Sequence, residues 1–164
     1  DAFGQITRPA KPMIDALVAK YPNVQVEQWI PHGFQLAGVN IRGRLDFIGR
    51  RLGDGLIANI TDWKTTSAFD QYAKTPYQLR KDAQMLIYRA GAEKMGCDET
   101  LEMSHGYFQT KGTRREEMVT TTINRAQLSE GRKQLLRSAW QRGCPFELQF
   151  RLLGTLVGCH RGRD

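Results

Sequence analysis

The chain has 164 residues, of which 40% are hydrophobic and 25% charged, a balance that excludes a disordered or fibrous polymer and fits one globular domain with a sizeable core. A net charge of +7 favours polyanionic partners without bearing on the fold. No run of about 18 apolar residues occurs, which excludes a membrane-spanning helix, and Cys97, Cys144 and Cys159 are too scattered for a zinc ribbon or a disulfide framework.

In chain order, the start Asp1-Ala2-Phe3-Gly4 has neither an initiator Met nor a signal-peptide pattern, so a shortened N-terminus is expected. Residues 12–21 predict a short helix, with Pro12 at its start, Pro22 as its stop, and Met13, Leu17, Ile14, Val18 and Tyr21 at helical spacing. Residues 24–30 alternate as a strand, and Pro31-His32-Gly33 is turn chemistry. Residues 34–39 and 41–50 predict a second strand broken near Gly38, and Arg51-Leu52-Gly53-Asp54-Gly55 turns into a third at 57–64. Three strands joined by polar turns make an antiparallel meander.

A long polar connection over 65–75 precedes a helix beginning near Pro76, with Leu79, Ala83, Leu86, Ile87 and Ala90 as its apolar stripe and Gly96 as its stop. Residues 102–110 and 117–123 read as two more strands around Lys111-Gly112-Thr113-Arg114. A last helix is expected over 126–140, with Asn124 as its cap. From Gly143 onward the pattern fits strand and helix equally. The expected class is α/β, a central mixed sheet (the meander plus further strands) flanked by helices.

The strand at 57–64 carries the first chemical signal. Side chains alternate along a strand, so Asp62 and Lys64 share a face while Trp63 points away. Alone, Asp-x-Lys is a common surface salt bridge. Asp46, in the preceding apolar strand, adds a second carboxylate, and two carboxylates make a hard oxygen site suited to Mg²⁺ or Mn²⁺. Lys64 is then either a base or an electrostatic stabiliser. On the helix, Gln84 and Tyr88 lie four residues apart on one face among apolar neighbours, where both need partners.

Gly43-Arg44-Leu45-Asp46, Ile60-Thr61-Asp62-Trp63-Lys64-Thr65 and Gln84-Met85-Leu86-Ile87-Tyr88, in that order, resemble the RecB-type nuclease domain of the PD-(D/E)XK superfamily over residues 24–119. The resemblance implies a restriction-endonuclease-like core and a metal-dependent DNA nuclease, an exonuclease of recombination, repair or phage/CRISPR-type DNA processing. It implies Asp46 and Asp62 as ligands of Mg²⁺ or Mn²⁺, the Trp63 carbonyl as a third, and Lys64 as the catalytic lysine. Gln84 would orient Lys64 or the scissile phosphate, and Tyr88 would support the site or contact DNA. Many members carry a metal-binding His on an early helix; here none precedes His32, and Glu27, beside Trp29 by strand parity, reads as structural. Cys144 and Cys159 have no third cysteine nearby, so no iron–sulfur cluster is expected.

Arg42, Arg44, Lys74 and Arg80 are candidate DNA contacts, of the phosphate kind that positions a strand without reading sequence. Phe69, Tyr72 and Tyr77 can stack on unpaired bases, although packing is expected for at least two of them. His105 and His160 receive no role. The expected organisation is one nuclease domain over residues 1–164, cytoplasmic and of bacterial or phage origin, with DNA and a helicase or recombination protein as partners. The alternatives are a non-catalytic nucleic-acid-binding module with this fold, or the nuclease fragment of a larger helicase–nuclease.

Overall fold

The computed structural model describes residues 2–36, 39–113 and 115–141. Its elements, in order, are α1 (Ala2–Lys20), β1 (Asn23–Trp29), β2 (Gln35–Leu36), β3 (Val39–Asn40), β4 (Arg44–Arg50), β5 (Ile57–Thr66), α2 (Phe69–Tyr72), α3 (Pro76–Arg80), α4 (Ala83–Met95), β6 (Cys97–Gln109), β7 (Glu116–Asn124) and α5 (Arg125–Gln141). Five strands form one sheet in the order β1-β4-β5-β6-β7. The β5–β6 pair is parallel and the others antiparallel, so the expected α/β class with a mixed sheet is the observed one.

The meander β1-β4-β5 forms as the alternation predicts, with the small β2–β3 hairpin inserted ahead of β4 in place of one long broken strand. Gly38 lies outside the described residues, as do Arg114 and everything from residue 142, including Cys144, Cys159 and His160. Helix α1 begins ten residues before the expected start. Pro9 and Pro12 therefore sit inside it, and each leaves one intrahelical hydrogen bond unmade.

The expected helix from Pro76 is two helices. Thr75 and Gln78 form a reciprocal capping box on α3, and Asp82, in extended backbone, then caps α4 by accepting from the N–H groups of Gln84 and Met85. A carboxylate serving two orphan amides explains why the chain restarts its helix there rather than running on. Gly96 ends α4 as expected, with φ +80°. Strand β6 begins at Cys97, five residues early, because the Gly96 carbonyl accepts from Ile57 and the parallel ladder starts at once. Asn124 caps α5 as predicted, exchanging bonds with Gln127.

Residues Met85 to Ala92 of α4 are buried throughout, more than the single stripe expected, since α4 lies between the sheet and α5. The buried charge of Arg89 is met by the carbonyls of Ile123 (3.0 Å), Asp98 (3.3 Å) and Glu99 (2.9 Å), which tie α4 to β6 and β7. On the opposite face of the sheet, Leu17 of α1 and Tyr21 just after it pack with Phe47, and Trp63 and Met118 close this second, smaller cluster.

Candidate active site

Strand β5 brings an apolar run to a polar end. Ile60 belongs to the core beneath α4, and Asp62 and Lys64 continue the same face, so the alternation carries a carboxylate and an ammonium onto the side where α4 packs. Asp62 is only 3% exposed. Its Oδ1 accepts from Gln84 Nε2 at 2.8 Å and lies 3.3 Å from the Tyr88 hydroxyl, whose single proton is shared between that oxygen and the Arg44 carbonyl at 3.1 Å. Gln84 also donates to the Tyr88 hydroxyl at 2.9 Å. The helical pair seen in the sequence therefore exists to hold one oxygen of Asp62.

The other oxygen is differently placed. Lys64 Nζ lies 2.5 Å from Asp62 Oδ2 as an ion pair, and this buried oxygen has no further partner in hydrogen-bond geometry among the described residues. Burial pushes the Asp62 carboxyl above its usual range and the charge of Asp46 adds to this, while Lys64 and Tyr88 act against it. Burial likewise raises the Tyr88 phenol, which stays protonated at any physiological pH.

Asp46 arrives from β4. The β4–β5 ladder runs only as far as the pair Phe47–Thr61, and beyond it Asp46 Oδ2 accepts the Trp63 N–H at 3.0 Å. The two strands thus fork where the two carboxylates stand. The Trp63 ring turns to the α1 face, as strand parity requires, between Phe47 and Phe108 at centroid distances of 6.4 and 5.6 Å.

Beside Lys64 opens a cleft of about 430 Å³, lined also by Thr65, Thr66, Ser67, Tyr72, Lys74, His105 and Tyr107. Of the four candidate DNA contacts, Lys74 is in this cleft and pairs with Asp82, while Arg42 is exposed. Arg44 pairs with Glu27 at 3.4 Å and approaches the Trp29 ring, and Arg80 is bonded to Thr121 of β7, outside the cleft. Glu27 stands in β1 with φ +52°, its carboxylate exposed beside Arg44. The expectation that two of the three aromatics pack is corrected: Phe69 alone is buried, edge-on to Tyr107, whereas Tyr72 and Tyr77 are 57% and 63% exposed, because α2 and α3 are too short to bury more than one residue each against the sheet.

Residues 4–151 match the sequence model of the PD-(D/E)XK nuclease superfamily. The chain belongs to that superfamily. No curated protein matches it. PD-(D/E)XK nucleases are metal-dependent enzymes that cleave phosphodiesters, so the class of substrate is nucleic acid. Among the described residues no three His, Cys, Asp or Glu side chains converge on one point. Asp46 and Asp62 offer two carboxylates, and the Asp62 oxygen beside Lys64 has no hydrogen-bond partner among the described residues, a donor set that would fit a hard cation keeping water and substrate oxygens in its remaining positions.

Sequence reasoning missed His105 and Tyr107. Both are buried on β6, with His105 the ladder partner of Asp62 and its Nδ1 3.0 Å from the Tyr107 hydroxyl. Burial pushes the His105 imidazole down to about 3, helped by the charges of Lys64 and Lys74, so the ring is neutral. The available signal was an imidazole and a phenol two residues apart, on one face of an apolar strand.

Proposed function

We propose that this chain is a RecB-type DNA nuclease that hydrolyses phosphodiester bonds with Mg²⁺ or Mn²⁺. One observation carries the reading: Asp62, buried and held through Oδ1 by Gln84 and Tyr88, keeps Oδ2 for Lys64 and a cation. Asp46, Asp62 and the Trp63 carbonyl would hold the metal, which when bound supplies Lewis-acid polarisation of the phosphate and a more acidic water. Lys64, next to Asp62, offsets the charge that builds on the phosphate oxygens during attack. Gln84 and Tyr88 keep Asp62 from turning. Lys74 and exposed Tyr72, both in the cleft, would take the phosphate and a base of an unpaired strand.

The same reading makes the chain one nuclease domain, acting as an exonuclease in recombination, repair or phage/CRISPR-type processing beside a helicase or recombination protein. The test is a panel of end-labelled linear and circular DNA, single-stranded and duplex, with Mg²⁺, Mn²⁺ or EDTA. Degradation of linear substrates only, blocked by EDTA, is the expected result. Equal cleavage of closed circles would overturn exonuclease action, and no cleavage of any substrate would overturn the nuclease reading.

A further inference from the structure

Two buried polar atoms at the β5–β6 junction stand 3.8 Å apart: Asp62 Oδ2, ion-paired with Lys64, and His105 Nε2, which has no hydrogen-bond partner among the described residues. Both residues are almost fully enclosed, at 3% and 1% exposure, and they face each other because Asp62 and His105 are paired in the parallel ladder. A buried ring nitrogen left unpartnered is costly. Such an atom, aimed at a carboxylate whose present partner is a lysine, points to a bond made in another state of the site.

The far side of the imidazole shows which atom would donate. The Tyr107 oxygen accepts the Lys74 backbone N–H at 3.1 Å and lies 3.0 Å from His105 Nδ1. Among the described residues Nδ1 is the one acceptor within reach of the Tyr107 hydroxyl proton, so the hydroxyl is assigned as donor to Nδ1. The ring's own proton then sits on Nε2, toward the carboxylate. The charged groups that face the ring are Asp62, Lys64, Lys74 and Asp82.

We infer that His105 is a positioning residue of the active site: its Nε2–H, oriented by Tyr107, holds Asp62 Oδ2 in place when Lys64 turns from the carboxylate to the substrate. This rests on the nuclease reading above. Lys64 cannot serve Oδ2 and a phosphate at once, and Gln84 and Tyr88 restrain only Oδ1. Without a donor at His105, the carboxylate would swing about its Oδ1 anchor at the moment it must stay fixed. Partners that orient a metal-binding carboxylate are typically worth about 10–100-fold in metal affinity or activity.

The test compares the whole chain with His105→Leu, His105→Gln and Tyr107→Phe. Three quantities are read: Mn²⁺ affinity by calorimetry without DNA, kcat and KM on linear DNA with Mn²⁺, and nitrogen couplings of bound Mn²⁺ by electron paramagnetic resonance. H105L is expected to lose about 10-fold or more in Mn²⁺ affinity and in kcat with KM little changed. H105Q, whose amide N–H reaches the place of Nε2–H, is expected to recover most of both, with Y107F between them. Bound Mn²⁺ should show no imidazole coupling. If H105L melts below the assay temperature, H105Q and Y107F carry the comparison.

Unchanged affinity and kcat in H105L, or H105Q no better than H105L, would overturn the assignment. So would an imidazole coupling in the wild type, which would make His105 a ligand. A wild type that binds Mn²⁺ and cleaves while H105L matches it defeats this inference alone. A wild type that does neither defeats the nuclease reading and this inference with it.

Discussion

Gly106 stands between His105 and Tyr107 on β6, directly behind the ring of Trp63. A Cβ at Gly106 would lie 2.2 Å from Trp63 Cζ3 and 2.3 Å from Cε3, against an ordinary contact of 3.4 Å or more. Gly106→Ala therefore demands a ring displacement of 3.4 − 2.2, roughly 1.2 Å. The half-buried ring must shift against Phe47 and Phe108, which flank it, while Met13 Sδ would be 3.5 Å from the new methyl. Overpacking of this size costs about 1–3 kcal/mol. At about 2–4 °C per kcal/mol for a chain of this length, the melting temperature should fall by about 2–12 °C. The effect should reach the site as well, because the backbone of Trp63 separates Asp62 from Lys64 and donates to Asp46. Thermal unfolding followed by circular dichroism, together with the cleavage rate, reads both consequences. In a Trp63→Leu background, which removes the obstructing ring atoms, the same glycine change should cost less, with a coupling of at least about 0.5 kcal/mol. A G106A protein melting with the wild type, or strictly additive single and double variants, would refute the packing argument.

Asp62→Asn should raise the melting temperature of the metal-free protein at neutral pH. The sign follows from the raised folded pKa: the stability tied to this carboxyl is present below its unfolded pKa and is lost as pH rises through the folded one, whereas asparagine never ionises. The gap between D62N and wild type should thus close on acidification, and Mn²⁺ should stabilise only the wild type; a gap that widens in acid would contradict this. Arg89→Met should destabilise in a urea titration by about 1–3 kcal/mol for each carbonyl of Ile123, Asp98 and Glu99 left unpaired, while Glu93 keeps Arg132 at 2.8 Å. Lysine should not rescue it, because one ammonium cannot span the positions of a guanidinium fork.

What the sequence discloses depends on how local the controlling physics is. The shared face of Asp62 and Lys64 follows from strand alternation, and the shared face of Gln84 and Tyr88 from helical spacing, so both pairs were legible as pairs. That they meet is tertiary: Gln84 reaches Asp62 only because α4 crosses back over β5. The ladder opposing His105 to Asp62 is parallel, and its register shifts between Ile57 and Asn59 before it runs on from Glu102, which no local pattern specifies. The single helix expected from Pro76 is two because Asp82, itself in extended backbone, caps α4, which residue spacing alone does not show. Arg89 is fully buried because three carbonyls from two strands converge on its guanidinium, which helical spacing does not disclose.

The central claim is that Asp46, Asp62 and Lys64 form a metal-dependent phosphodiester-cleaving centre. Its most direct test is single-turnover cleavage of linear DNA in Mg²⁺ by the wild type, Asp62→Ala and Lys64→Ala, each first shown to be folded. Cleavage by the wild type that EDTA abolishes, and that falls by about two orders of magnitude or more in each variant, is the predicted result. Cleavage at the wild-type rate in either folded variant would contradict the assignment of the site.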